Sequence, residues 1–151
     1  MQNQPVNSLN PLALFNQLNA PQRSAFSAIM GFFFYGAWAY SVNQHHGMDA
    51  GVKAGIVQGS YSFALTFSMT MLLEGMYLFA SRLFTSKKLV CTLTILVCCA
   101  IVFTGSWTVN YLAGTPEIFQ TVILGYVIGG VYSIIYVLNL SRQQALAKIR
   151  S

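Results

Sequence analysis

Charge is scarce in this chain. Only 7% of its 151 residues are charged, and only three, Asp49, Glu74 and Glu117, are acidic. A soluble domain of this size carries about 25% charged residues, because its surface must face water. That shortfall, with 55% hydrophobic residues, excludes an ordinary water-soluble domain and implies a surface that faces lipid. The length allows one domain. Cysteine is equally thin. Cys91, Cys98 and Cys99 all fall in one apolar run, with no CxxC or Cys/His pattern of zinc spacing, so they read as small hydrophobes. No nucleophile–base arrangement, phosphate loop or paired carboxylates stand out, which argues against an enzyme; no cofactor or metal is expected. Segments of about ten residues with period-two alternation are missing, so a β-barrel is excluded. The first 22 residues hold no charged side chain, so the basic n-region of a secretory signal is missing too.

The net charge is +5 and the pI about 9.3. These values do not point to nucleic acid. The basic residues sit in short clusters beside apolar runs, where they act as topology signals.

Four apolar runs dominate, at residues 25–42, 54–80, 89–112 and 118–140. A membrane-spanning helix needs about 20 apolar residues, and a backbone in lipid must satisfy its own hydrogen bonds, which requires helices. The expected fold is therefore all-α: a polytopic membrane protein of four transmembrane helices arranged as two hairpins. Before it, residues 1–22 read as a polar segment, expected either to carry a short interfacial helix, capped at Asn10-Pro11 with Leu12, Leu14, Phe15 and Leu18 on its apolar side and ended near Pro21, or to be a disordered tail. The four-helix domain covers 23–141, and 142–151 form a basic tail. Arg23, the cluster Arg82, Lys87 and Lys88, and then Arg142, Lys148 and Arg150 lie on one side; only Lys53 lies on the other, with Asp49 and Glu117. The positive-inside rule puts both termini in the cytoplasm, and the expected location is a bacterial inner membrane.

The second run carries the densest signal. Gln58, Ser62, Thr66, Thr70 and Glu74 are four apart, and each such step drifts about 40° around an ideal helix, so the row winds slowly. It reads either as interhelical hydrogen bonding or as a polar track ending at Glu74, the ligand- or proton-binding candidates of the chain. Glu74 is the sole charge within 54–81. It could bond to Thr70 or a neighbouring helix, pair with Arg82 or Lys87 at the interface, or take up a proton or a cationic headgroup. Gly51, Gly55 and Gly59 form a small-residue groove, and Gly125, Gly129 and Ser133 repeat the theme in the fourth run. The expected core is a glycine-lined contact between the second and fourth helices.

A faint repeat relates the two halves. Gly36-Ala37-Trp38 matches Gly105-Ser106-Trp107, Asn43 matches Asn110, and Gly59-Ser60-Tyr61-Ser62 matches Gly130-Val131-Tyr132-Ser133. Trp38, Tyr40, Trp107 and Tyr111 read as an aromatic belt. His45, His46 and Asp49 share one loop, but two His and one Asp fall short of a metal site without a further ligand.

Four short spans, cytoplasmic termini and a two-span repeat resemble the architecture of the small GtrA-type proteins, which are thought to help move polyprenyl-linked sugars across bacterial membranes. That family ends its even helices with an Asn-Phe element. This chain has Leu138-Asn139-Leu140-Ser141-Arg142 and Leu73-Glu74-Gly75 instead, so the resemblance extends to architecture, and no residue roles are carried over. The functional expectation is a small membrane protein assisting translocation of a lipid-linked or amphiphilic molecule. The alternative is a non-catalytic accessory subunit of a larger membrane complex. The expected partners are the lipid bilayer and, through the small-residue faces, a second copy or another membrane protein.

Overall fold

A computed structural model describes residues 20–150; the interfacial helix expected at 12–18 lies outside them. The described chain is all-helical: α1 (Ala20–Asn43), a 3-10 turn (Gln44–His46), α2 (Met48–Leu83), α3 (Lys87–Ala113) and α4 (Ile118–Arg150). At 1.5 Å per residue even α1 is about 36 Å long, more than the roughly 30 Å of a bilayer's hydrocarbon core. All four helices are long and apolar enough to cross a membrane. The helix expected to end near 140 continues to Arg150, since residues 141–150 contain neither Gly nor Pro to stop it.

Each connection is short and has a chemical cause. Gly47 takes φ +116°, a region L side chains avoid, and so starts α2 directly after the 3-10 turn. Gly114 takes φ +68° at the end of α3. Its N–H donates to the Tyr111 carbonyl and that of Thr115 to the Asn110 carbonyl, both at 3.0 Å, which is the Schellman closure of a helix. Between α2 and α3, Phe84 is extended and Ser86 precedes the new helix.

Packing differs from the expected α2–α4 core. The groove of Gly51, Gly55 and Gly59 receives α1, and α1 and α2 form the most extensive helix pair of the fold. A Cβ on Gly55 would lie 3.0 Å from the Gly36 carbonyl oxygen, and one on Gly59 only 2.8 Å from that of Phe32. A glycine groove accepts whichever backbone comes first, and a four-residue connection delivers α1. Helices α2 and α4 touch sparingly; Gly129 and Gly130 have nothing near them. An apolar core forms where α2, α3 and α4 converge, around Met69, Leu73, Tyr77, Cys98, Val102 and Val137.

Two asparagines close the opposite end. Asn43 and Asn110 are both fully buried. Each donates Nδ2 to the carbonyl four residues back, Ala39 and Ser106 respectively. Each also reaches across the fold. Asn43 donates to Thr121 Oγ1 and accepts the backbone N–H of Glu117; Asn110 donates to Gln58 Oε1 and accepts from Thr115 Oγ1. The two residues paired by the sequence repeat thus do the same local work, tying a helix end to a neighbour. Trp38 Nε1 adds a bond to the Gln120 carbonyl at 2.9 Å.

Candidate functional site

The four-residue row on α2 passes through three environments. Gln58 and Ser62 are buried, Thr66 and Thr70 half-buried, and Glu74 is exposed. Helical geometry explains the sequence. Ser62 and Ala80 are eighteen residues apart, about five turns, so they share the inward face with Met69, Leu73 and Tyr77. Ser62 and Glu74 are twelve apart, which leaves Glu74 about 120° round the helix. The row therefore starts in the bundle and winds out of it, and apolar side chains take its place inside.

Gln58, Ser62, Thr66 and Thr70 line one cavity of about 460 Å³. All four helices contribute to its wall: Ser24, Ser27 and Tyr35 from α1, Phe103 and Ser106 from α3, and Gly125, Tyr126, Gly129 and Tyr132 from α4. Of the two glycines of α4 expected to pack another helix, Gly129 borders open space, while a Cβ on Gly125 would meet the Tyr35 ring at 3.7 Å and Gln58 Nε2 at 3.8 Å. Ser133, next along that stripe, is fully buried and donates to the Gly129 carbonyl. Among the described residues, the hydrogen bonds between α1 and α4 cluster at Trp38 and Asn43. The seam between these helices is latched at that end, and Ser24 and Ser27 reach the cavity from the other end of α1.

Among the described residues the cavity wall is largely apolar and carries neutral polar groups but no charge. Gln58 Oε1 accepts two bonds, from Asn110 Nδ2 at 2.7 Å and Ser106 Oγ at 3.2 Å. That fixes the amide plane and sends Nε2 toward Gly125, within 3.8 Å of where its Cβ would stand. Thr66 Oγ1 donates to the Ser62 carbonyl and Tyr61 Oη to that of Val102, so these hydroxyls are committed. Gln58 Nε2 and Ser62 Oγ have no partner among the described residues. Among the described residues no fully buried side-chain nitrogen or oxygen is left without one, so neither atom is sealed off, and both residues line the cavity. Among the described residues the lining holds no Asp, Glu, Lys or Arg. Neutral donors such as Gln58 Nε2 and Ser62 Oγ, set among tyrosines and aliphatic groups, can hold a carbonyl or hydroxyl beside an apolar body.

Glu74 stands outside this space. Its Oε1 accepts the hydroxyl of Tyr136 on α4. Tyr136 stacks on Tyr132, with ring centroids 5.7 Å apart, and the Tyr132 hydroxyl lies 3.4 Å from Thr70 Oγ1. The Tyr136 ring therefore stands between the carboxylate and Tyr132, which belongs to the cavity wall. Among the described residues Glu74 makes no ion pair with Arg82 or Lys87; the neighbouring helix supplies its partner.

Sequence reasoning missed Tyr35 and Phe103, because neither belongs to a polar row on its own helix. Only the fold brings them to the wall. No family model, no curated protein and no solved structure matches this chain, so the chemistry of the site rests on its own residues.

Proposed function

We propose that this chain is a small integral membrane protein that binds an amphiphilic molecule in the four-helix cavity and assists its passage across the bilayer. One observation carries the reading: the row from Gln58 to Thr70 turns an uncharged, donor-bearing wall toward a cavity of about 460 Å³, within the range of small-molecule sites. A polar row of this kind facing lipid would be costly. Facing a cavity, it offers hydrogen bonds to a guest whose apolar part meets Tyr126, Ile128 and Met69. The absence of charge among the described lining residues favours an uncharged polar group, such as a sugar or carbonyl, over a bare anion. Basic residues at 82, 87, 88 and 142 favour a bacterial inner membrane with both termini cytoplasmic.

The test uses vesicles reconstituted with the purified chain and containing fluorescent phospholipid or polyprenyl-phosphate analogues. Accessibility of the label to an external quencher reports translocation. Wild-type vesicles should equilibrate the label faster than empty ones, and Gly125→Leu, which fills the cavity beside Tyr35, should abolish the difference. Equal rates for that variant and wild type would refute the proposal.

A second reading, an accessory subunit, is favoured by a different observation. Glu74 is exposed among large apolar residues, Met71, Leu78 and Phe79, and a carboxylate facing lipid there would be costly. A stoichiometric partner retained in mild detergent, and lost with Glu74→Ala, would favour that reading.

A further inference from the structure

We propose that His45, His46 and Glu117 form a binding site for a divalent transition metal of the zinc type, joining the turn between α1 and α2 to the start of α4. The three ligand atoms lie within 4.8 Å of one another. His46 Nε2 is 3.0 Å and His45 Nε2 is 3.9 Å from the same carboxylate oxygen, Glu117 Oε1. Zinc bonds to imidazole nitrogen and carboxylate oxygen are about 2.0–2.2 Å, which puts neighbouring ligand atoms of a tetrahedral ion about 3.4 Å apart. The two observed separations straddle that value and the imidazole nitrogens lie within 4.8 Å of each other, so an ion fits with side-chain adjustments on the order of 1 Å.

Adjacent residues in an extended chain point to opposite sides. Here the 3-10 turn over Gln44–His46 lets both imidazoles face one oxygen, with ring centroids 4.1 Å apart. The carboxylate is itself oriented. Its other oxygen accepts from Gln120 Nε2 at 3.3 Å, and the Glu117 backbone N–H donates to buried Asn43 at 2.9 Å. Such outer supports are what metal ligands need to hold their geometry. Both histidines are exposed, so water can complete the coordination, as in open zinc sites with three protein ligands. Asp49, the acid nearest in sequence, is not among the converging ligands; the missing third ligand comes from seventy-one residues away. The site does not depend on the transport proposal.

The test is titration of the intact chain, purified in a non-chelating detergent buffer, with ZnCl₂ and with CoCl₂. One Zn²⁺ should bind per chain, Co²⁺ should develop visible ligand-field absorption, and Zn²⁺ should raise the unfolding midpoint. His45→Ala, His46→Ala and Glu117→Gln should each weaken binding by about tenfold or more, while Asp49→Asn should leave it unchanged. His45 and His46 are exposed, so their variants remain informative should Glu117→Gln fold poorly. No saturable binding by wild type would overturn the proposal. So would equal binding by the His45→Ala/His46→Ala double variant, which would place the metal elsewhere.

Discussion

Adding one methyl group at Gly59 should separate two helices. The Cβ of alanine there would lie 2.8 Å from the Phe32 carbonyl oxygen and 3.0 Å from its ring. The ring can swing away, but the carbonyl belongs to the backbone of α1. Reaching the 3.4 Å at which ordinary contact begins requires α1 to retreat by 3.4 − 2.8 = 0.6 Å. The same seam holds Gly36 and Gly55, whose Cβ positions lie 2.9 and 3.0 Å from each other's carbonyl oxygens, so the retreat loosens contacts over several turns. Overpacking of this kind costs about 1–3 kcal/mol. Alanine also favours helix over glycine by up to about 1 kcal/mol, which obscures the cost in a single variant. Gly75→Ala removes the ambiguity. It makes the same change on the same helix, and its Cβ meets nothing within 4 Å. The propensity gain largely cancels between the two variants, and the difference isolates the clash. Gly59→Ala should be about 1–3 kcal/mol less stable than Gly75→Ala, roughly a five- to 150-fold shift in the folding equilibrium. Unfolding in mixed micelles, titrated with denaturing detergent and followed by helical circular dichroism, measures it. Equal stability of the two variants would refute the packing of α1 into the α2 groove.

Other outcomes follow from individual bonds. Gln58→Leu leaves the buried amide of Asn110 and the Ser106 hydroxyl without their shared acceptor, so the same unfolding assay should show a loss of about 1–3 kcal/mol. Asn43→Ala cuts three bonds that join α1 to itself and to α4; it should destabilise by a similar amount and raise amide hydrogen exchange at the start of α4. Glu74→Gln keeps an acceptor for Tyr136, lies outside the cavity and is exposed, so its stability should stay within about 0.5 kcal/mol of wild type and cavity-dependent label movement should persist. A Glu74→Gln variant that bound no amphiphile while folding normally would move the site from the cavity to the carboxylate.

The sequence by itself determined the helices. Four long apolar runs, with so few charges, leave the backbone no partner but itself. It also determined the polar row and its drift, since a four-residue spacing on a 3.6-residue helix must wind whatever surrounds it. Asn43 and Asn110 were legible as equivalents, because each bonds to a carbonyl four residues back, a purely local act. Only the tertiary structure decided what each helical face meets. A glycine groove is indifferent to its partner, so the sequence could not say that α1 fills the α2 groove while Gly125 and Gly129 border a cavity. Nor could it say at which residue the winding row leaves the bundle, because that depends on where α3 and α4 cross α2. Glu117 meets His45 and His46 for the same reason: nothing local connects positions 71 residues apart, and the Asn43 clamp that brings them together exists only once the helices have packed.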